Sequence, residues 1–195
     1  MQMMDEQKRL NILAAAAKLF ADRPFHKVLL SDVAEAAGVG KGTLYIYFKS
    51  KEDLYLSVVY DGFARLVDRL RSQIDEDARE PVESLELAVR EFIYFIYQNP
   101  HLYELMHTLP GWKAVDRPKW DAKRMELRAL LESIISQGVL QGCFADSNPR
   151  LTARYIPGLV RAALFEDIKS VDRQMLTDHI LHFVKSALAV KEGLD

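Results

Sequence analysis

The chain holds 195 residues, 49% of them apolar and 28% charged, with a formal net charge of −2. This length suits one large domain or a small one joined to a medium one, and the composition excludes a disordered chain. The single cysteine, Cys143, excludes an internal disulfide, and the longest strongly apolar run, residues 92–97, is too short to span a bilayer. Asp5 and Glu6 stand near the start, with no apolar stretch and small-residue cleavage site behind them. No signal peptide or membrane partner is therefore expected, and the expected location is cytoplasmic. Residues 1–60 hold eight Lys/Arg against seven Asp/Glu, so a nucleic-acid reading has to rest on where the charges sit.

Prolines and glycines fall mostly between segments of helical period, and no stretch sustains a two-residue alternation. The pattern predicts an all-α fold of about nine helices. A first helix covers about residues 5–21, with Ile12, Leu13, Ala16, Leu19 and Phe20 on one face, and Pro24 ends it. Short helices over 31–37 and 41–48 flank Gly38. A long helix over 51–74 leads to an acidic stretch and then to a fifth helix opening at Pro81, a favourable first-turn position for proline. That helix ends at Asn99-Pro100. A short sixth covers 101–108, a seventh 120–137, and the last two cover 149–165 and 172–190.

The last two helices are apolar nearly all the way round. A helix on a monomer's surface shows a polar face opposite its apolar stripe. Burial on several sides predicts packing against a second copy in a two-fold dimer. Leu151, Tyr155, Gly158, Leu159 and Ala162 would supply the interface from one helix, and Leu176, Ile180, Phe183 and Ala187 from the other.

The residues around Gly38 carry the sharpest signal. Val33, Ala34 and Ala37 make a short inward face, and the small alanines let a second helix cross closely. Gly38 suits a sharp left-handed turn out of a helix, and Val39 plugs the angle. Leu44 and Phe48 turn inward with i, i+4 spacing. Lys41, Gly42, Thr43, Tyr45 and Tyr47 remain on the outer surface, where lysine, hydroxyl and phenol groups suit a phosphate backbone and groove edges.

The string from Ala36 to Leu54, read as Ala-Ala-Gly-Val-Gly-Lys-Gly-Thr-Leu-Tyr-Ile-Tyr-Phe-Lys-Ser-Lys-Glu-Asp-Leu, resembles the signature of the TetR family of regulators. The resemblance covers roughly residues 8–60 and is consistent with the helix count beyond. It implies a three-helix helix-turn-helix DNA-binding domain over residues 1–50 and a helical ligand-binding and dimerisation domain over 51–195. It further implies a repressor that leaves a palindromic operator duplex when a small apolar or aromatic effector binds. By the same resemblance Thr43 and Tyr47 bind phosphates, Lys41 and Tyr45 reach the major groove, Gly42 lets the backbone approach DNA, and Lys51 anchors the DNA backbone. The chain departs from the family pattern in places. Pro24 stands where glycine is common, Leu29 and Leu30 where threonines often cap the second helix, and Gly40 where serine often caps the third. Ser31 is the replacement cap or phosphate contact.

Other chemistry fails on spacing. Gly38 to Thr43 lacks the glycine and the Ser/Thr positions of a phosphate loop, and no strand precedes it. Glu104-Leu105-Met106-His107 has the Glu-x-x-His spacing of di-iron bundles, but no second copy accompanies it. No nucleophile elbow exists, and neither a catalytic site, a metal site nor a cofactor is expected. Aromatic and soft residues are dense between 92 and 125. Phe92, Phe95, Tyr103, Met106, His107, Trp112 and Trp120 form the expected effector pocket, with Arg124 or Arg128 pairing with a carboxylate on the effector. Two other classes stay open. One is a DNA-binding protein of the same type that senses no small molecule, and the other is a helical-bundle binding protein or enzyme.

Overall fold

The computed structural model describes residues 2–76, 79–101, 117–164 and 171–190. Among the described residues the chain is all-α, with eight helices: α1 (Gln2–Asp22), α2 (Leu30–Ala36), α3 (Lys41–Tyr47), α4 (Lys51–Glu76), α5 (Pro81–Gln98), α6 (Arg117–Leu140), α7 (Pro149–Ala163) and α8 (Arg173–Leu188). A 3-10 turn, Phe25–Lys27, links α1 to α2. The short helix expected over 101–108 lies, apart from His101, outside the described residues. Tertiary contacts divide the chain into two units, residues 1–62 with 101–115, and residues 63–100 with 116–195. The cut expected between residues 50 and 51 falls at the start of α4, whereas packing groups that helix through Gly62 with the helices before it.

The first unit is organised by a small apolar core. Ile12, Leu13, Ala15 and Ala16 of α1 meet Val28, Val33, Ala34, Leu44, Phe48 and Leu54, with Leu19, Phe20, Val39 and Val58 packed partly against them. The i, i+3, i+4 spacing on α1 gives one buried stripe. α1 packs on α2, and α2 on α3. Pro24 takes an extended ψ of 142°, which carries the chain out of the α1 axis. Phe25 then stacks with Phe20 and meets the Tyr55 ring at 5.2 Å. Burial pushes the Tyr55 phenol well above the ordinary tyrosine range, opposed in part by a hydrogen bond at the His101 backbone.

The second unit is a bundle in which α5 packs on α6, α7 and α8, and α6 packs extensively on α7. Leu85, Ala88, Val89, Ile93 and Ile96 of α5 are buried with Leu127, Leu131, Ile134 and Ile135 of α6. Pro81 opens α5 at the expected first-turn position. Asn148 caps α7 by accepting from the Leu151 amide at 3.1 Å, and Asp172 caps α8 through the Met175 amide at 2.9 Å. Tyr97 Oη donates to the Val171 carbonyl at 2.8 Å and ties α5 to the entry of α8.

The apolar surfaces of α7 and α8 each split into two faces. Ala153, Ile156 and Val160 point into the unit's core, while Leu151, Tyr155 and Ala162 are exposed on the opposite side of α7. On α8, Leu176, Ile180, Leu181, Val184 and Leu188 are buried, and Phe183 and Ala187 are exposed. Leu176 and Ile180, expected at a dimer interface, are therefore core residues of their own chain, each 4% exposed. The periodicity that marks an apolar helix does not say which of two apolar stripes faces inward. Gly158 and Leu159 are half-buried. Pro157 lies inside α7 and offers no amide to the Ala153 carbonyl one turn earlier.

Candidate nucleic-acid interface

The turn from α2 to α3 sets the geometry of the surface they share. Gly38 adopts φ +67°. Its amide donates to the Glu35 carbonyl at 3.0 Å, and the Val39 amide donates to the Ala34 carbonyl at 2.9 Å. This pair of bonds is the Schellman closure, which satisfies the last carbonyls of a helix and turns the chain sharply. α3 then begins on Gly40, which has extended dihedrals and supplies no side-chain cap.

Burial orients α3 about its axis. Leu44 and Phe48 are at 0% and 2% exposure and hold the inner face. Lys41 and Gly42 are exposed, Tyr45 is 55% exposed and Ile46 is 79% exposed. Thr43 and Tyr47 are half-buried on the flank. Five of the expected contact residues thus lie on the outer and flanking surfaces of one helix. Ser31 joins them from α2. A recess of about 210 Å³ is lined by Leu29, Leu30, Ser31, Lys41, Leu44 and Tyr45.

Ser31 does not cap α2. The capping position belongs to Leu29, which makes no side-chain cap bond, and α2 starts one residue earlier than the sequence suggests. The Ser31 hydroxyl donates instead to Asp32 at 3.4 Å, and Asp32 accepts from Arg23 at 3.1 Å. Neither short helix carries a side-chain cap at its N-terminus, which leaves first-turn amides for a phosphate or water to satisfy.

The Lys51 side chain is half-buried against the turn between α1 and α2. Its Nζ donates to the carbonyls of Phe25 at 3.0 Å and Val28 at 3.3 Å, and lies 4.5 Å from the Phe25 ring centroid. The 3-10 turn presents these carbonyls, and α4 presents the lysine that collects them. Ser50 accepts from the Asp53 amide at 3.1 Å and Asp53 accepts from the Lys49 amide at 2.8 Å, a reciprocal arrangement that fixes the start of α4.

The residues expected to hold an effector are only partly within the described structure. Tyr103, Met106, His107 and Trp112 lie outside it. Phe95 and Trp120 are buried, and both pack on Phe63, with ring centroids 5.5 and 5.8 Å away. Phe63, on α4, was not among the residues expected to line the pocket. Phe92 is half-buried and Arg128 exposed. Arg124 lies 5.5 Å from the Trp120 ring centroid and donates to Asp121 at 3.3 Å. Burial lowers its pKa, the Asp121 carboxylate raises it, and the nearby Arg128 and Arg161 charges lower it further. Among the described residues no group of three or more His, Cys, Asp or Glu is placed to hold a metal ion, and no helix is long and apolar enough to cross a membrane.

Comparison with known proteins agrees with the resemblance drawn from the sequence. Residues 12–58 match the model of bacterial regulatory proteins of the tetR family, and residues 78–164 match a tetracyclin repressor-like C-terminal domain. The HTH-type transcriptional repressor KstR2 of Mycolicibacterium smegmatis is 31% identical over 156 residues, covering 76% of this chain and 74% of that protein. The fatty acid metabolism regulator protein of Bacillus subtilis is 35% identical over 71 residues, which span 36% of this chain and 37% of that one. The solved structure of the fatty acid degradation regulator FadR from Bacillus halodurans superposes with a TM-score of 0.63 at 26% identity, covering 89% of this chain and 92% of the other.

Proposed function

We propose a function from a plain premise: this chain belongs to the TetR family of bacterial regulatory proteins. It is a DNA-binding transcriptional regulator. We read it as a cytoplasmic repressor, not an enzyme, that binds a near-palindromic operator as a two-fold dimer. The observation that carries the reading is the α2–Gly38–α3 turn, which buries Leu44 and Phe48 and leaves Lys41, Gly42 and Tyr45 outward. Lys41 and Tyr45 reach the major groove, Thr43 and Tyr47 hold phosphates from the flank, Gly42 allows close backbone approach, and Ser31 adds a contact from α2. Lys51 acts at one remove, by fixing the Phe25–Lys27 turn against α4.

The dimer forms through the exposed apolar faces of α7 and α8, with Leu151, Tyr155, Ala162, Phe183 and Ala187 at its centre. Two recognition helices then lie about 34 Å apart on adjacent half-sites. An effector with an apolar body binds the helical bundle of the second unit, near Phe95, Trp120 and Arg124. Two of the similar proteins carry fatty-acid metabolism or degradation in their names, so a fatty-acyl chain is the body we place first. Release follows if the effector binds more tightly to a conformer that fits the operator less well. α4 runs unbroken from one unit into the other and is the element through which that preference is transmitted.

The test is fluorescence anisotropy of the purified protein on its own upstream DNA, with random duplex as competitor and a salt series. Specific binding whose log affinity falls with log salt is expected. Addition of fatty acids and their acyl thioesters should then lower operator affinity. Binding that no such compound alters would leave the regulator in place and remove the effector reading.

A further inference from the structure

Ile46 is 79% exposed, although it is a large aliphatic side chain in the middle of a well-packed helical unit. Scattered surface aliphatics are ordinary, but this one has a defined setting. It stands on the outer face of α3, one helical turn beyond Gly42, with Lys41 and Tyr45 on the adjoining ridge. Side chains on an α-helix lean toward its N-terminus, so Ile46 projects beside the turn that contains Gly42 without covering it. A methyl group built on Gly42 would meet nothing within 4 Å. The result is an aliphatic knob beside a strip of bare backbone, flanked by a cation and a phenol. Water wets it at a cost, and most of its surface is left open.

A major groove offers one apolar group at base level, the thymine C5 methyl, which projects from the groove floor and distinguishes T·A from C·G. Lysine and tyrosine can read acceptors and donors on either side, but neither recognises that methyl as an aliphatic side chain does. We propose that Ile46 is a specificity-determining residue that packs on a thymine methyl in each half-site. The proposal rests on the DNA-binding reading and on the outward orientation of α3.

The experiment removes the methyl and the side chain separately. An operator is selected from random duplexes by the full-length protein, and each thymine pair related by the two-fold axis is replaced by uracil, which keeps every hydrogen-bonding edge. At one position the wild-type affinity should fall about fourfold per half-site, the weight of one buried methyl-sized group. With both half-sites substituted the loss should be roughly fifteenfold. Ile46→Ala should bind the thymine and uracil operators equally, and Ile46→Val should recover part of the difference. Because the side chain is exposed and uncharged, Ile46→Ala should keep the wild-type melting temperature and the wild-type salt slope on random DNA. Selection of an operator in which no uracil weakens the wild type, or in which Ile46→Ala loses the same factor as the wild type, overturns the role of Ile46 while leaving DNA binding intact. Failure to enrich any duplex overturns both.

Discussion

Lys51 and Thr43 stand eight positions apart and are both polar groups in the same small unit, yet they should behave differently when removed. Lys51 donates to the Val28 carbonyl and to the Phe25 carbonyl, which also accepts from the Val28 amide, and it lies against the face of Phe25. Lys51→Met should destabilise the protein by about 1–2 kcal/mol, the range for charge-assisted bonds at a half-buried site. It should weaken operator binding without changing its salt slope. A slope reduced by about one unit would mean that the lysine neutralises a phosphate after all. Thr43→Ala and Tyr47→Phe should instead leave the denaturation midpoint nearly unchanged and lower affinity on operator and random DNA alike, read by anisotropy. Unchanged affinity in both variants would sink the assigned orientation of α3. Sequence could identify Thr43 because its neighbours set its face through helical period. It could not identify the partners of Lys51, since those carbonyls lie 23 and 26 residues earlier and become available only through the geometry of the 3-10 turn.

At the scale of elements, what was legible depended on whether one helix or several decide the answer. The corner between α2 and α3 was readable because a glycine, a following valine and two short apolar faces specify it locally. Gly38 has room for a side chain and lacks only the backbone freedom for one. Gly38→Ala should therefore cost about 1 kcal/mol in urea denaturation, through the left-handed backbone alone. A loss above about 3 kcal/mol would point to a steric role instead. α8 was half legible. Its period marks a helix with two apolar stripes, but the choice between Ile180 and Phe183 as the inward residue is made by α5 and α7, which no local pattern encodes. The same limit applies to Phe63, whose ring joins those of Phe95 and Trp120 only once α4, α5 and α6 are packed. The start of α2 slipped by a residue because leucine, which offers no cap, takes a position that sequence logic reserves for a hydroxyl or a carboxylate.

At the scale of the whole molecule, a two-faced helix separates folding from association. Ile180→Ala removes a buried side chain and should cost about 2–5 kcal/mol of stability. Phe183→Glu and Tyr155→Glu change exposed positions on the opposite faces, so each chain should remain folded by circular dichroism. In sedimentation velocity both should shift toward monomer, and operator affinity should fall by more than tenfold as the two half-sites cease to be bound together. A variant that stays dimeric at micromolar concentration would move the interface off α7 and α8.

The seat of Lys51 against the turn between α1 and α2 has a consequence for anyone building hybrid regulators. A splice at residue 50 looks natural, because a new helix begins there. It would replace the lysine that secures the Phe25–Lys27 turn, remove Leu54 from the core and strip Tyr55 from the Phe20–Phe25 pair. The recognition surface would be transplanted without its keystone. A junction beyond Gly62 carries all three along, and swaps made there should retain operator choice while exchanging the effector that governs it.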